Sequence, residues 1–282
     1  MAKTAETITI NGVGTVHRLG FGAMRITGPG IWGEPADPDA AHEVLRKAVE
    51  WGVDFIDTAD SYGPEVSERL IAETLHPYPA GLHIATKAGQ VRTGPNKWVP
   101  VGRAEYLRQQ LELSLRRLKL ETIDLFQLHR VDPKVDTAEQ FGELAAFQRE
   151  GKVRAIGLSA VTIEQIEEAG RYFTVASVQN RYNSADRASQ EVMEYCTTHG
   201  IPFIPYAPLD SGRLFAGSEA VDAAAARLGV SPAQITLAWL LQRSPMMLPI
   251  PGTSRADHLA DNLKARDLDL DAQTIAELDA VV

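Results

Sequence analysis

The sequence predicts an α/β fold, a (β/α)8 TIM barrel with an N-terminal β-hairpin and an extra C-terminal helix. Short apolar segments alternate with amphipathic helical segments, which is typical of parallel strands joined by right-handed helical crossovers. The alternation repeats eight times along the chain, which is the number of units that closes such a barrel. The chain has 282 residues, 44% of them hydrophobic, so we expect one barrel domain over residues 1–282.

The hairpin is expected at the start of the chain. Ile8 and Ile10 precede the dipeptide Asn11–Gly12, and Val13 and Val16 follow it. Asn-Gly is a strong signal for a two-residue turn between antiparallel strands. The barrel itself is therefore expected to begin after this small element.

Eight strand–helix units are expected after the hairpin. The strands are predicted at Arg18–Gly22, Val53–Asp57, His83–Lys87, Ile123–Leu128, Val153–Leu158, Val175–Gln179, Pro202–Tyr206 and Met247–Ile250. The helices that follow them are predicted, in the same order, at Pro38–Trp51, Val66–Leu75, Arg103–Leu118, Thr137–Glu150, Thr162–Gly170, Arg187–His199, Pro232–Arg243 and Arg255–Lys264. A long loop is expected before the seventh helix, and a last helix at Asp271–Asp279 lies outside the eight units. An open doubly wound sheet is the alternative, but no G-x-G-x-x-G follows an early strand.

Composition and charge argue against several classes of protein. The net charge of -9 disfavours a nucleic-acid backbone as partner. Cys196 is the single cysteine, so no intrachain disulfide is possible and a reducing, cytoplasmic setting is expected. The first residues, MAKTAETITI, contain no long apolar run, and no stretch reaches the roughly 20 apolar residues of a membrane span.

Polar side chains end several predicted strands, at the rim where barrel enzymes carry their chemistry. An ionisable residue is costly to bury there unless it has a partner. Taken singly, Asp57 is explained as a turn or helix cap, Lys87 as a rim lysine and His129 as a rim histidine. Their occurrence together favours a functional site. The full set is Asp57, Lys87, Gln127, His129, Ser159, Gln179 and Tyr206.

The acidic and basic members of this set suggest proton transfer. A lysine beside an aspartate balances both charges and creates a positive centre that lowers the pKa of a nearby phenol. Tyr62, in the loop after Asp57, is the candidate phenol and general acid. His129 is a candidate hydrogen-bond donor to a carbonyl oxygen. Together these residues supply what the reduction of a C=O bond needs, except the hydride.

The segments that carry these residues resemble the aldo-keto reductase family along essentially the whole chain. They are FIDTADSYG (Phe55–Gly63), IATK (Ile84–Lys87), DLFQLH (Asp124–His129), GLS (Gly157–Ser159) and VQNRYN (Val178–Asn183). The resemblance implies an oxidoreductase that transfers a hydride from NADPH to an aldehyde or ketone to give an alcohol. It also implies roles for the four catalytic candidates. Tyr62 is the proton donor, Lys87 and Asp57 tune it, and His129 orients the carbonyl.

The same resemblance implies a cofactor site without a Rossmann motif. Ser159 and Gln179 are expected to bind the nicotinamide carboxamide beside Asp57, and Tyr206 is expected to stack on the ring. Arg255 is expected to bind the 2′-phosphate at a helix start, where backbone N–H groups favour an anion. The other cofactor contacts are expected from Gly22, Met24, Arg25, Pro208, Leu209, Gly212, Leu214, Gly252, Thr253, Ser254, His258 and Asn262.

Three positions depart from the pattern of many family members. Ala160 replaces an asparagine that would contact the carboxamide, and Gly252 and His258 replace a lysine and an arginine. The last two changes remove positive charge from the 2′-phosphate site. NADPH remains the expected cofactor because Arg255 is present, and NADH is the less favoured alternative.

The substrate is expected to be a small carbonyl compound that the sequence does not name. Aliphatic, aromatic and sugar aldehydes, pyridoxal-like aldehydes, quinones and ketones all stay open. Monomer is the default oligomeric state. The substrate pocket is expected to be lined by Met24, Trp32, Tyr62, Trp98, His129 and Arg130.

Two other function classes are alternatives. The first is a regulatory module of the same fold that binds NADPH with little turnover, and the complete catalytic set argues against it. The second is a barrel hydrolase, which needs a second strand-end carboxylate or a cluster of metal ligands. Asp57 is the carboxylate, and His129 the histidine, that we place at the barrel mouth, so no metal is expected.

Overall fold

The computed structural model describes residues 6–209 and 218–280. In chain order, the strands are β1 (Thr7–Ile10), β2 (Gly14–His17), β3 (Phe21–Gly22), β4 (Phe55–Asp57), β5 (His83–Ala88), β6 (Gln90–Gly94), β7 (Lys97–Pro100), β8 (Ile123–Leu128), β9 (Val153–Ser159) and β10 (Val175–Gln179). The α-helices are α1 (Pro38–Glu50), α2 (Val66–Leu75), α3 (Ala104–Leu118), α4 (Thr137–Arg149), α5 (Ile163–Ala169), α6 (Gln190–Thr198), α7 (Glu219–Leu228), α8 (Pro232–Arg243), α9 (Ala256–Leu263) and α10 (Ala272–Asp279).

The predicted hairpin is present and lies across the N-terminal end of the barrel. β1 and β2 are antiparallel, with Ile10 opposite Gly14. The turn has three residues rather than the expected two, because Val13 lies within it and its backbone N–H donates to the carbonyl of Ile10 (3.0 Å). Ile8 and Ile10 are buried in one apolar cluster with Leu125 of the barrel wall. The hairpin therefore covers one end of the barrel and leaves the other for a site.

Six parallel strands form most of the barrel wall, in the order β3-β4-β5-β8-β9-β10. In this register Asp57 lies opposite Ala85, and Lys87 lies opposite Gln127. Parallel alignment brings the carboxyl ends of all six strands to the same rim. The polar residues that end these strands are therefore neighbours in space.

Two extended segments complete the ring between β10 and β3. Strands were expected at Pro202–Tyr206 and Met247–Ile250, but isolated parallel bridges occur there instead of continuous ladders. Prolines at positions 202, 205, 249 and 251 have no N–H group to donate, so the ladder is interrupted. The ring still closes, because the N–H of Gly20 donates to the carbonyl of Pro249 (3.0 Å).

The helices largely follow the sequence prediction. α2 and α8 have the predicted bounds, and the ends of the other predicted helices differ by one to three residues. α7 lies where part of a long loop was expected, and that expectation was wrong. Its sequence carries the usual helix signals, with Glu219 and Asp222 in its first turn and Gly229 after its last residue. No helix within the described ranges is both long and apolar enough to span a bilayer.

A second hairpin, formed by β6 and β7, was also missed. The two strands are antiparallel, with Arg92 opposite Trp98. No element was expected between the strand ending at Lys87 and the helix beginning at Arg103, and the structure places Trp98 on β7 there. The turn residue Asn96 has a left-handed backbone (φ 55), a conformation that asparagine adopts more readily than most residues. This hairpin follows β5 directly and therefore stands beside the end of the strand that carries Lys87.

Candidate active site

A buried ion pair lies at the centre of the barrel mouth. Lys87 Nζ donates to Asp57 Oδ1 (2.5 Å) and to the carbonyl of Thr58 (2.8 Å). The other carboxylate oxygen, Asp57 Oδ2, accepts from the amide groups of Gln127 (3.0 Å) and Gln179 (2.8 Å). Both charged side chains are at most 2% exposed. A buried ion pair is tolerated when further hydrogen bonds satisfy its donors and acceptors. Here the ion pair and its amide partners come from four strands, β4, β5, β8 and β10.

Tyr62 reaches this pair from the loop after β4. Its hydroxyl lies 3.3 Å from Lys87 Nζ. Two backbone hydrogen bonds tie the loop to β5, from Thr58 to Ala85 (2.8 Å) and from Asp60 to Lys87 (3.1 Å). The phenol of Tyr62 is therefore held beside the ammonium group, as the sequence predicted.

The electrostatic balance at Tyr62 differs from the expectation. Burial raises the pKa of Tyr62 above its ordinary value, Lys87 lowers it, and Asp57 raises it again. Lys87 acts in the expected direction, but burial outweighs it, so a net lowering of the pKa of Tyr62 is wrong for this structure. Burial lowers the pKa of Lys87, and Asp57 and Tyr62 more than reverse this. Tyr62 therefore holds its proton beside a charged lysine.

His129 is the third group at this point. Its ring centre lies 5.8 Å from that of Tyr62, and its Nδ1 lies 3.3 Å from the Ser61 hydroxyl. Burial, followed by the positive charges of Lys87 and Arg130, lowers the pKa of His129 well below its ordinary value. The imidazole is therefore neutral at neutral pH. A Ser61 hydroxyl that donates to Nδ1 leaves the ring proton on Nε2, where it can serve as a hydrogen-bond donor.

Aromatic side chains form the wall around these groups. Trp98 packs edge-on against Tyr62 at 6.3 Å and lies 6.2 Å from His129, ring centre to ring centre. The guanidinium of Arg92 lies 3.6 Å from the ring centre of Trp98 and 5.8 Å from that of Trp32. Met24 also packs in the apolar cluster around Tyr62. The structure thus brings the expected pocket residues together, and it adds Arg92, which the sequence did not single out.

The residues expected to hold a nicotinamide lie on the other side of the mouth. Ser159 and Gln179 are buried at the ends of β9 and β10. The guanidinium of Arg130 donates to the Ser159 hydroxyl (3.1 Å) and to the Tyr206 hydroxyl (3.4 Å). The structure therefore groups Ser159 and Tyr206 around Arg130, a contact that the sequence analysis did not anticipate.

The expected adenosine-phosphate segment follows the eighth barrel segment. Gly252 faces Gly22 so closely that a Cβ on Gly252 would lie 2.5 Å from the carbonyl oxygen of Gly22. A side chain such as lysine has no room there, which accounts for the glycine. Thr253 Oγ1 accepts a hydrogen bond from the N–H of Arg255 (3.1 Å), directly before α9. The backbone of this segment therefore lies close to the end of β3.

Arg255 forms an ion pair within its own helix start. Its side chain is 62% exposed and forms a two-pronged ion pair with Asp257, including Nε to Oδ1 at 2.9 Å. The hydrogen bond from Arg255 lowers the pKa of Asp257 to about 2. Asp257 was not among the residues expected at this site, although an acidic residue in the first turn of a helix is visible in the sequence. His258 is exposed and Asn262 is buried on the same helix. Of the loop residues expected at the cofactor, Pro208 and Leu209 directly follow the Tyr206 segment, whereas Gly212 and Leu214 lie outside the described residues.

A second buried charge cluster, which was not expected from the sequence, lies next to the loop that carries Tyr62. Glu68 of α2 is fully buried, accepts from the Thr86 hydroxyl (2.6 Å) and pairs with Arg117 Nε (2.6 Å). Asp60 lies nearby, and burial together with Glu68 raises its pKa well above its ordinary value. Thr86 directly precedes Lys87, so this cluster supports the strand end that carries Lys87.

Comparisons with known proteins agree with this geometry. The sequence model of the Aldo/keto reductase family matches residues 18–282. An uncharacterized oxidoreductase of Schizosaccharomyces pombe is 52% identical over 278 residues, which cover 99% of this chain and 90% of that protein. Pyridoxine 4-dehydrogenase of Escherichia coli is 39% identical over 284 residues, 99% of each chain.

Solved structures show the same fold. A glycerol dehydrogenase from Gluconobacter oxydans superposes with a TM-score of 0.88 at 26% identity, covering 100% of this chain and 95% of that one. An aldo-keto reductase from Klebsiella pneumoniae, crystallised in complex with NADPH, superposes with a TM-score of 0.83 at 26% identity, covering 99% and 95%.

Proposed function

The chain belongs to the aldo/keto reductase family, and from this premise we propose that it is an NADP-dependent carbonyl reductase. In the proposed reaction an aldehyde or ketone is reduced to an alcohol at Asp57, Tyr62, Lys87 and His129. One observation carries the proposal. Lys87 Nζ lies within hydrogen-bond distance of both Asp57 Oδ1 and the Tyr62 hydroxyl, so a charged lysine and a protonated phenol share one point at the mouth.

The protein residues divide the proton chemistry between them. Reduced nicotinamide, when bound, supplies the hydride that bonds to the carbonyl carbon. Tyr62 gives its proton to the carbonyl oxygen, and the ammonium group of Lys87 stabilises the phenolate that remains. His129 Nε2–H donates a hydrogen bond to the same oxygen and orients it. Asp57 holds Lys87 in place and keeps it charged.

The residues present fit a nicotinamide dinucleotide. Ser159 and Gln179 offer a hydroxyl and an amide beside the catalytic cluster, and Tyr206 offers a half-buried ring. At the far end, Thr253, Ser254 and Arg255 precede the N-terminus of α9, where N–H groups favour a phosphate. We propose NADPH rather than NADH because Arg255 can bind a 2′-phosphate. The NADPH complex of the Klebsiella pneumoniae relative supports this choice.

The test is NADPH oxidation with an activated aldehyde such as 4-nitrobenzaldehyde, for the wild type and for Tyr62→Phe. We expect turnover by the wild type, and NADPH binding with little turnover by the variant. Binding without turnover of any carbonyl compound by the wild type would instead favour the regulatory module.

A panel of carbonyl substrates with NADPH and NADH side by side would narrow the substrate. It should include pyridoxal, because a pyridoxine 4-dehydrogenase is among the relatives. A barrel hydrolase has no comparable support. Among the described residues, no three His, Cys, Asp or Glu side chains group as a metal site requires.

A further inference from the structure

Arg130 carries a positive charge at the mouth that no carboxylate of residues 6–209 or 218–280 pairs with. Its guanidinium donates to the carbonyl of His129 (2.6 Å) and to the hydroxyls of Ser159 and Tyr206, all neutral groups. Within residues 6–209 and 218–280 it forms no ion pair with Asp or Glu. The side chain is half-buried, so water only partly screens its charge.

Two other cations of the mouth, Lys87 and Arg92, already have fixed contacts. Lys87 is paired with Asp57. Arg92 donates to backbone carbonyls, among them those of Gly30 (2.8 Å) and Ser61 (3.1 Å), and lies over the ring of Trp98. Arg92 thus fastens the pocket loops together. Of Lys87, Arg92 and Arg130, Arg130 is the cation whose two hydroxyl contacts a ligand carboxylate can replace without breaking an ion pair.

Arg130 also lies close to the reacting groups. Its charge lowers the pKa of both His129 and Tyr62, so it is within electrostatic range of the two residues that would flank a carbonyl. Under the proposed function, on which this inference rests, a nicotinamide is held by Ser159 and Tyr206. A nicotinamide held by these two residues would compete with Arg130 for both hydroxyls, and the guanidinium would then be available to another ligand.

We propose that Arg130 selects aromatic aldehydes that carry an anionic oxygen substituent, a carboxylate or a phenolate. A planar guanidinium binds such a group through two parallel hydrogen bonds. The pocket walls, Trp32 and Trp98, suit an aromatic ring. An ion pair formed in a partly desolvated cleft is also stronger than one on the surface.

The test compares two aldehydes of similar shape, 4-carboxybenzaldehyde and 4-methylbenzaldehyde, with saturating NADPH. The wild type should show a kcat/KM about tenfold or more higher for the carboxylate, which is the value of one charge-assisted hydrogen-bonded contact. In Arg130→Met this ratio should fall toward one. Arg130→Lys should keep an intermediate ratio, because it keeps the charge and loses the planar fork. Arg149→Met, which removes a positive charge at the end of α4, should keep the wild-type ratio.

Binding provides a second readout that does not depend on turnover. Calorimetry with the NADP⁺ complex should show that Arg130→Met weakens 4-(hydroxymethyl)benzoate about tenfold more than benzyl alcohol. An equal kcat/KM of the wild type for the two aldehydes would overturn the proposal for Arg130. So would an equal loss of kcat/KM for both aldehydes in Arg130→Met. Failure of the wild type to reduce either aldehyde would instead count against the proposed reductase function, and the calorimetric comparison would still decide the role of Arg130.

Discussion

At the proposed catalytic end of the cleft the charges are buried and held by several side chains, whereas at the proposed adenosine end the two charged side chains are exposed and paired with each other. Asp57 and Lys87 are at most 2% exposed, and each has a further hydrogen-bond partner. Arg255 and Asp257 are 62% and 61% exposed. Buried charges are costly unless their partners are fixed, while exposed pairs contribute little and exchange readily. The geometry of the proposed catalytic residues is therefore set by the fold, and the proposed phosphate contact depends on an ion pair that can rearrange.

Breaking the buried ion pair between Asp57 and Lys87 should have the largest effect on turnover. Lys87→Met removes the charge that stabilises the Tyr62 phenolate, so kcat should fall by about 10³-fold, within the range for loss of general acid catalysis. NADPH binding, measured separately by fluorescence, should persist. Lys47→Met, at an exposed pair on α1, is the control.

Lys87→Met also leaves a buried carboxylate without its ammonium partner, which itself costs stability. The double variant Asp57→Asn with Lys87→Met removes both charges and should fold better than Lys87→Met while staying inactive. Retention of more than a tenth of the wild-type kcat by either variant would contradict the role of Lys87.

A substitution in the second buried cluster tests whether a buried ion pair can affect stability without affecting turnover. Glu68→Gln leaves Arg117 without its buried partner and should lower the free energy of unfolding by about 3 kcal/mol. The turnover of the folded protein should stay within about threefold of the wild type, since Glu68 does not face the mouth. Urea unfolding and active-site-normalised kcat measure the two quantities.

Glu73→Gln is the matched control for Glu68, because it breaks an exposed pair with Arg69 on the same helix. It should leave stability nearly unchanged. A large fall in kcat with unchanged stability in Glu68→Gln would show that the second cluster takes part in catalysis.

A pH series tests whether burial keeps His129 neutral. The pKa of His129 in the folded protein is well below its unfolded value of 6.5, so the unfolded state binds the proton first as the pH falls. The neutral imidazole therefore costs no stability above pH 6.5, and it costs about 1.4 kcal/mol per pH unit below that until the folded pKa is reached. Relative to His129→Gln, the wild type should lose stability between pH 6.5 and 5.5. His76→Gln, at an exposed position, is the control, and parallel curves for wild type and His129→Gln would refute the shift.

The difference between buried strand-end residues and exposed side chains also explains which contacts the sequence could predict. Asp57, Lys87 and Gln127 converge because parallel strands bring their carboxyl ends to one rim, and that follows from strand order alone. The segments expected as the seventh and eighth strands do not form continuous hydrogen-bonded ladders, because their prolines lack the backbone N–H groups that a ladder needs. The Arg130 and Asp257 contacts depend on the conformations of partly or largely exposed side chains, which strand order does not fix.

The exposed pair at the adenosine end should give the smallest effects. Arg255→Ala removes the cation proposed to bind the 2′-phosphate, so NADPH should bind about threefold to fivefold more weakly while NADH is little changed. Asp257→Asn should act in the opposite direction, because it frees Arg255 and removes a negative charge from the phosphate site. Dissociation constants for both cofactors, measured by fluorescence titration at low salt, provide the comparison, and NADH is the internal control.

The size of these shifts should itself depend on salt. An exposed contact is screened as ionic strength rises, so the difference between the Arg255→Ala and Asp257→Asn proteins should shrink at high salt. The Lys87→Met defect should persist under the same conditions, because water and ions do not reach the buried pair. Equal changes in NADPH and NADH binding for both adenosine-end variants would place the 2′-phosphate elsewhere, and the preference for NADPH would then need another source than Arg255.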